Sequence, residues 1–159
     1  MSVRVGFGFD VHRLVAGRPM VLGGVVIPFS KGPDGHSDAD VLIHAICDAL
    51  LGAAGLRDIG FHFPDTDSSY KNIDSKLLLK EVMIQVAIKK YKVGNIDVTL
   101  CLEQPKINPH IPDMKKVLAE ALSIQQDDIS IKATTNERMG FIGREEGVAA
   151  YAVVLLESC

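Results

Sequence analysis

An Asp-x-His tripeptide, Asp10-Val11-His12, ends the first apolar segment of the chain. Strand residues two apart share a face, so this carboxylate and imidazole point the same way. His44, one turn into a predicted helix, offers a third ligand. Two imidazoles and a carboxylate suit a tetrahedral Zn²⁺ with an open fourth position, as in catalytic zinc sites. The same set describes a non-haem Fe(II) centre, and a plain Asp–His ion pair needs no metal. We favour zinc because nothing in the sequence is typical of a 2-oxoacid co-substrate site.

Two further segments have the composition of anion sites. Ser37 is predicted to cap a helix whose free N–H groups would bind an anion, with His36 beside it as a donor. Thr134 and Thr135 end a predicted strand, and with Glu137 they suit phosphate oxygens and a Mg²⁺ ion. A simple helix cap and a polar turn are the alternatives to these two interpretations.

A long irregular segment between residues 58 and 70 contains Asp58-Ile59-Gly60 and Phe63-Pro64-Asp65-Thr66-Asp67. Irregular segments of this length are often functional in compact domains. Their carboxylates suit sugar or polyol hydroxyls, or a second metal. Turn formation is the alternative, since Asp, Gly and Pro favour turns. Further along, Arg144 follows Gly140-Phe141-Ile142-Gly143 and offers a lone cation to another anion.

The bulk composition narrows the class of protein. The 159 residues fit one domain, residues 1–159, with a sizeable core, and the net charge of −3 gives no case for nucleic-acid binding. No Ser–His–Asp pattern or glycine-rich phosphate loop is present, and no apolar run is long enough to span a membrane. The three cysteines form no Cys-x-x-Cys pair, and strand signals begin at Val3. We therefore expect a cytoplasmic protein of bacterial type, with a processed organellar form as the alternative.

The elements that must position these residues can be predicted from periodicity. Residues 3–12 form a strand whose odd positions are apolar, so we expect that face to be buried and Asp10 and His12 to lie on the other. A small hairpin over residues 20–28, broken at Gly23-Gly24, follows. Helices are expected over 38–54, 75–90 and from Asn108 onward, and strands over 95–103, 129–134 and 148–156. The order favours an α+β two-layer sandwich, a mixed sheet of about four strands with helices on one face.

Eight segments in one order resemble the 2-C-methyl-D-erythritol 2,4-cyclodiphosphate synthase family across nearly the whole chain. They are Asp10-Val11-His12, His36-Ser37-Asp38, Asp58-Ile59-Gly60, Phe63-Pro64-Asp65-Thr66-Asp67, Pro105-Lys106, Pro109-His110-Ile111-Pro112, Lys132-Ala133-Thr134-Thr135 and Gly143-Arg144. The resemblance implies a homotrimer with active sites between subunits. It also implies a phosphorus–oxygen lyase of the non-mevalonate isoprenoid pathway, which converts 4-diphosphocytidyl-2-C-methyl-D-erythritol 2-phosphate into the cyclic diphosphate and CMP.

The resemblance also implies roles for individual residues. Asp10, His12 and His44 would bind one Zn²⁺ per active site, and Glu137 would bind Mg²⁺ or Mn²⁺ with the substrate diphosphate. The 2-phosphate of the substrate would attack its own β-phosphorus, which accounts for the missing protein nucleophile. His36 and Thr135 would be catalytic. The implied substrate contacts are Asp10, His12, His36, Ser37, Asp58, Ile59, Gly60, Phe63, Asp65, Asp67, Pro105, Lys106, Ile107, Ala133, Thr134, Thr135, Glu137, Phe141 and Arg144.

The resemblance also implies which of these residues contact each part of the substrate. Asp58, Gly60 and Asp65 would hold the methylerythritol hydroxyls, and the loop 105–107 with residues 133–134 would form the cytidine pocket. One departure concerns the trimer axis, where some relatives bind prenyl diphosphates beside residues that match Phe9 and Arg144. Tyr151 replaces a family glutamate near Arg144, so we do not expect that ligand here.

Two other classes of function remain open at this point. A zinc-dependent phosphohydrolase or nucleotidase on the same scaffold would use an activated water at the open metal position. A non-catalytic trimer that binds isoprenoid diphosphates would leave the metal ligands without a role. Cyclic product, linear product or no product from the diphosphocytidyl substrate distinguishes the three.

Overall fold

The centre of the structure is an antiparallel pair of long strands, β1 (Val3–Ala16) and β7 (Gly147–Ser158). A computed structural model describes all residues, 1–159. On one side, β1 pairs with the short β4 (Lys31–Pro33); on the other, β7 pairs antiparallel with β5 (Tyr91–Cys101). Strand β6 (Ile129–Thr134) then runs parallel to β5. The sheet is therefore mixed, as predicted, and β4 brings it to five strands in the order β4-β1-β7-β5-β6.

Helices α1 (Val41–Ala53), α3 (Ser75–Ile88) and α4 (Ile111–Leu122) form the second layer. Two short helices, α2 (Ile59–His62) and α5 (Gly140–Gly143), lie in the loops, and β2 (Met20–Leu22) and β3 (Val25–Ile27) form the predicted hairpin. Single 3₁₀ turns span Ser68–Tyr70, Asn108–His110 and Gln126–Asp128. One buried apolar core joins sheet and helices, which confirms the two-layer α+β sandwich. None of the helices combines the length and apolarity that a membrane-spanning helix needs.

The predicted burial of the first strand is wrong, because its even-numbered face packs against α1. A Cβ at Gly6 would lie 1.9 Å from the Ala49 carbonyl oxygen, and a Cβ at Gly8 would lie 1.9 Å from the Ala45 carbonyl oxygen. These two glycines let the helix backbone rest directly on the strand, a contact that side chains would prevent. Asp10 and His12 continue the same face and therefore lie at the edge of the helix layer.

The odd-numbered face of β1 is left exposed in the single chain. With its neighbours on β7 it forms an apolar sheet face that carries no helix, made of Val3, Val5, Phe7, Phe9, Val11, Tyr151 and Val153. The rings of Phe9 and Tyr151 pack with their centroids 5.1 Å apart. A contiguous apolar patch of this kind marks an interaction surface.

Two helix starts differ from the predictions. Helix α1 begins at Val41 with Asp40 as its N-cap, not at Ser37, because the Asp40 carboxylate accepts the backbone N–H of Ile43 at 3.1 Å. Ser37 lies in the preceding loop, where its hydroxyl accepts the N–H of Ala39. Similarly, Asn108 opens a 3₁₀ turn rather than α4 itself. The helix cap predicted at Ser37 is therefore wrong.

Candidate metal centre and active site

Asp10, His12 and His44 converge on one point, as the sequence predicts. The Asp10 Oδ2 atom lies 2.9 Å from His12 Nε2 and 3.0 Å from His44 Nδ1, and the two ring nitrogens are 3.3 Å apart. Strand β1 supplies the first two side chains, and α1, which rests on Gly6 and Gly8, supplies the third. These three residues form a group that could hold a metal ion.

The other nitrogen of each histidine ring is already engaged. His12 Nδ1 lies 2.9 Å from the carbonyl oxygen of Asp34, which only accepts, so this nitrogen carries the hydrogen. His44 Nε2 lies 2.9 Å from Ser75 Oγ and 3.2 Å from Ser37 Oγ. Such partners fix the tautomer and orientation of metal-binding histidines. Each neutral ring consequently directs its lone pair at the convergence point.

Ser75 and Asp38 form an outer shell that the sequence analysis missed. The Ser75 hydroxyl donates to Asp38 Oδ1, and Asp38 Oδ2 accepts the Ser75 backbone N–H at 3.0 Å. Because its hydrogen points to Asp38, the Ser75 oxygen is free to accept from His44 Nε2. Ser75 opens a helix far along the chain, so no local signal in the sequence connects it with His44.

The spacing of the three ligand atoms fits a site that contains a metal ion better than one that contains no cation. Two neutral imidazoles that face each other with lone pairs cannot hydrogen-bond, and a proton or a cation must lie between them. With bonds of about 2.0–2.1 Å to zinc, tetrahedral ligands stand about 3.3 Å apart, close to the observed distances. The carboxylate and the two fixed rings therefore fit a divalent ion, with room for a further ligand from the cavity.

Asp10 and His12 each shift the pKa of the other. In the metal-free site, burial opposes ionisation of Asp10, but hydrogen bonds from His12 and His44, and their positive charge when protonated, outweigh it and lower the pKa of Asp10 to about 2. Burial likewise opposes the charged form of His12, yet the Asp10 carboxylate raises the pKa of His12 above its ordinary value. An ionised Asp10 thus makes the site attractive to any cation, whether proton or metal.

The triad forms the wall of a cavity of about 400 Å³. Nine of the residues predicted from the sequence line this cavity: Asp10, His12, His36, Ser37, His44, Ile59, Gly60, Phe63 and Asp65. Tyr70, Ile73 and Leu78 complete an apolar side that the sequence analysis did not assign. His36 Nε2 lies 3.3 Å from the Asp67 carbonyl oxygen, so the rim joins the loop before α1 to the irregular segment. The cavity combines a cation site, polar groups and apolar walls, as small-molecule sites do.

A second, smaller cavity at the ends of β5 and β6 is lined by other residues that the sequence predicts to contact the substrate. It has a volume of about 100 Å³ and is lined by Leu102, Glu103, Pro105, Lys106, Ile107, Asn108, Ala133, Thr134 and Thr135. An adjoining polar cavity of about 450 Å³ shares Glu103, Lys106 and Thr135 with it and is also lined by Glu137. Neither shares a residue with the metal-site cavity. The predicted site residues of one chain therefore fall into two groups, one at the metal-site cavity and one at the ends of β5 and β6.

Glu103 shapes the turn that carries Glu137 and was not singled out from the sequence. Its Oε1 atom accepts the backbone N–H of Asn136 at 2.7 Å and that of Arg138 at 3.4 Å. Glu137 and Arg138 both have positive φ angles, 52° and 61°. L-residues rarely adopt this conformation without support. Glu103, two residues after the end of β5, thus holds the turn in the shape that exposes the Glu137 side chain.

Four predicted residues line none of these three cavities. Asp58 caps α2 by accepting the N–H of Phe61, and Asp67 caps the 3₁₀ turn at Ser68–Tyr70. Phe141 lines a shallow cavity beside Val11, His12 and Glu146. Arg144 pairs with Glu146 at 3.0 Å.

Arg144 and Tyr151 both have partners within the single chain. Arg144 pairs with Glu146, and Tyr151 packs against Phe7 and Phe9. These contacts do not involve a trimer axis, so the expectation that no prenyl diphosphate binds there stays a prediction.

Comparisons with known proteins agree with this geometry. Residues 3–157 match the model of the YgbB family. A protein from Cytophaga hutchinsonii named 2-C-methyl-D-erythritol 2,4-cyclodiphosphate synthase is 64% identical over 156 residues, which cover 98% of each chain. Among solved structures, the bifunctional IspDF from Campylobacter jejuni superposes with a TM-score of 0.96 at 42% identity, over 99% of this chain and 43% of that one. A CDP complex of IspF from Plasmodium falciparum has a TM-score of 0.87 at 31% identity, over 99% of this chain and 97% of that one.

Proposed function

The chain belongs to the YgbB family, and we propose that it acts as a 2-C-methyl-D-erythritol 2,4-cyclodiphosphate synthase. The reaction is the cyclisation of 4-diphosphocytidyl-2-C-methyl-D-erythritol 2-phosphate, in which the 2-phosphate attacks the β-phosphorus and CMP leaves. The observation that carries the proposal is the Asp10–His12–His44 group on the wall of the cavity. No protein nucleophile is required, because the substrate supplies its own.

We assign Zn²⁺ to the triad, one ion per site. Two neutral imidazoles and one carboxylate, with an open fourth position, are a ligand set typical of catalytic zinc. When bound, the ion would supply Lewis-acid stabilisation of charge on a phosphate oxygen. The chain itself contributes the preset rings: the Asp34 carbonyl and Ser75 hydroxyl hold His12 and His44 in the tautomers that bind metal.

The other cavity residues would position the substrate. His36 and Ser37 would donate to the phosphates, and Asp58, Gly60 and Asp65 would hold the methylerythritol hydroxyls. Positioning of this kind makes attack within one molecule fast, since the two phosphates start close and aligned. The ring of Phe63 would limit access of water to the reacting groups.

The second cavity would hold the nucleotide end. Residues 105–107 and 133–134 would enclose cytidine, and Thr135 would contact the diphosphate. Glu137, exposed on its turn, would hold a Mg²⁺ or Mn²⁺ ion together with the substrate diphosphate, in line with the preference of Mg²⁺ for a carboxylate plus phosphate oxygens. Phe141 and Arg144 would complete the substrate contacts at the border with β7.

We further propose that the active site forms between subunits of a homotrimer. The two cavities of one chain share no residue, yet a single substrate must reach both. The helix-free apolar face of β1 and β7 supports this arrangement, since its aromatic and branched side chains would otherwise face water. Closing this face against copies of itself would bring the nucleotide cavity of one chain to the metal site of the next.

The test is to incubate the zinc-loaded protein with the diphosphocytidyl substrate and Mg²⁺ and to follow the products by phosphorus NMR. Cyclic diphosphate together with CMP is the expected result. A linear phosphorylated product with CMP would replace the proposal with a phosphohydrolase, and no turnover with binding intact would replace it with a non-catalytic binding protein. Glu137→Gln should lower turnover and the Mg²⁺ response while zinc stays bound; equal loss of zinc would contradict two separate metal sites.

A further inference from the structure

Arg18 lies in the turn between β1 and β2 and lines neither the metal-site cavity nor the nucleotide cavity. Its side chain borders another cavity of about 290 Å³, with Pro19, Asp38 and Asn72, and this cavity shares Ser37 with the metal-site cavity. Nothing in the proposed function uses this cation. It nevertheless contacts the loop whose residues hydrogen-bond the histidines of the metal centre.

The guanidinium group of Arg18 is directed at one loop, residues 34–37. Its Nη2 donates to the Ser37 carbonyl at 2.9 Å, and its Nη1 donates to the Gly35 carbonyl at 3.3 Å. The same Nη1 lies 3.7 Å from a carboxylate oxygen of Asp34. The Nε atom is buried and has no hydrogen-bond partner, so the contacts that orient this cation are those to the loop.

This loop carries an acceptor for each metal-binding histidine. The Asp34 carbonyl accepts from His12 Nδ1, and Ser37 Oγ lies 3.2 Å from His44 Nε2. The loop also packs tightly, since a Cβ at Gly35 would lie 3.1 Å from His12 Cε1. A shift of the loop would therefore change the environment of both rings together.

We propose that Arg18 is a positioning residue for the metal centre, which acts through the loop 34–37 on the tautomer and orientation of His12 and His44. The inference rests on the proposed function, because it requires that the triad binds zinc. A planar fork with fixed donors can hold two carbonyls at once, whereas the ammonium group of lysine is a point donor on a flexible stem. Partners of metal-binding histidines typically change metal affinity about 10- to 100-fold when removed.

The experiment measures zinc affinity by competition with a chromophoric chelator, together with the side-chain ¹⁵N spectra of the histidines in the zinc-loaded protein. Arg18→Met keeps the unbranched apolar stem of the side chain and removes its donors. We expect zinc to bind about 10- to 100-fold more weakly, with shifted or broadened ¹⁵N signals for His12 and His44. Arg18→Lys should recover part of this loss. Lys92→Met, which removes an exposed cation paired with Glu157 on the sheet, is the matched control and should bind zinc normally.

The outcomes distinguish failure of the proposed function from failure of the role assigned to Arg18. If the unchanged chain bound no zinc, the proposed function would fail and Arg18 would have no metal centre to position. If it bound zinc and Arg18→Met only lowered the melting temperature, with the dissociation constant and ¹⁵N signals unchanged, Arg18 would be merely structural. Should Arg18→Met not fold, Arg18→Lys decides, since full affinity with unshifted histidine signals in that variant would overturn the inference.

Discussion

The α carbon of Gly8 on β1 lies directly under the carbonyl of Ala45 on α1, so close that a Cβ at this glycine would be 1.9 Å from the carbonyl oxygen. One turn of helix separates Ala49, which rests on Gly6, from Ala45. This contact decides which face of β1 turns inward. Asp10 and His12, next on that face, meet His44 of the same helix as a result.

Gly8→Ala should destabilise the protein by about 3 kcal/mol, because the added methyl group meets helix backbone, which cannot move away as a side chain can. Thermal or denaturant unfolding at one fixed protein concentration measures the change. Gly52→Ala is the control: it lies in α1 with open space around it, so it should be neutral or stabilise by up to about 1 kcal/mol. Equal stability of Gly8→Ala and the parent would contradict the packing described for α1.

His44→Ala should abolish zinc binding and turnover, since it removes the buried ligand and leaves only Asp10 and His12 to bind the cation. Elemental analysis for zinc on purified protein and the product assay check this. His110→Ala removes a histidine that makes no side-chain hydrogen bond in the structure, and it should keep zinc at one equivalent per chain. Full activity in a zinc-free His44→Ala protein would refute the metal assignment.

Ser75→Ala should weaken zinc binding about 10- to 100-fold without removing any metal ligand. The hydroxyl is fully buried between His44 and Asp38, so its loss leaves the ring nitrogen without its nearest partner. A chelator competition assay measures the dissociation constant. Ser130→Ala, at an exposed position on β6, should bind zinc as the parent does. Identical affinities for the two variants would mean that the hydroxyl does not orient His44.

Zinc affinity should fall as the solution is acidified, because protons compete for His12. The pKa of His12 is raised above its ordinary value of 6.5, so this competition begins above pH 6.5, while Asp10, with a pKa of about 2, stays ionised throughout. Below the pKa of His12, each pH unit should weaken zinc binding at least about tenfold. Titration calorimetry in buffers of different ionisation enthalpy should detect proton release near pH 7.

The same coupling has a signature in the zinc-free protein. The interaction of protonated His12 with Asp10 contributes stability below pH 6.5, and this contribution is lost as the pH rises through the raised pKa of the folded state. Asp10→Asn removes the carboxylate and should lower the pKa of His12, as measured from its ring proton shifts. An unchanged titration would show that Asp10 does not set the charge of His12.

Phe7→Asp should convert the proposed trimer into monomers, because it places a charge in the middle of the helix-free apolar face. Light scattering after size-exclusion chromatography measures the mass. Turnover should be lost with zinc still bound, since the triad belongs to one chain. Ile84→Asp is the matched control: Ile84 on α3 is 54% exposed, comparable with 62% for Phe7, but lies in the helix layer and should leave the mass unchanged. A trimeric, active Phe7→Asp protein would contradict the proposed interface.

Much of the architecture could be predicted from local patterns. The hairpin at residues 20–28, the helix that Asp74 caps and the strand at Ile129–Thr134 follow from caps, glycines and apolar periodicity, and the structure confirms them. The predicted start of α1 was wrong, because Ser37, Asp38 and Asp40 are all good capping residues and local sequence does not select among them. Only the contacts of Asp40 with Gly23, Gly24 and Ile43 select among them.

The sequence by itself determined which side chains could do chemistry, that Asp10 and His12 share a face, and which family the ordered segments resemble. Period-two alternation carries no information about which face will be covered, and apolar odd positions suggested the wrong one. The tertiary structure decided that point through the glycines under α1. It alone brought Ser75 to His44, Arg18 to the loop between the histidines, and the two cavities to separate places. Those contacts join residues far apart in the chain, and no local pattern encodes them.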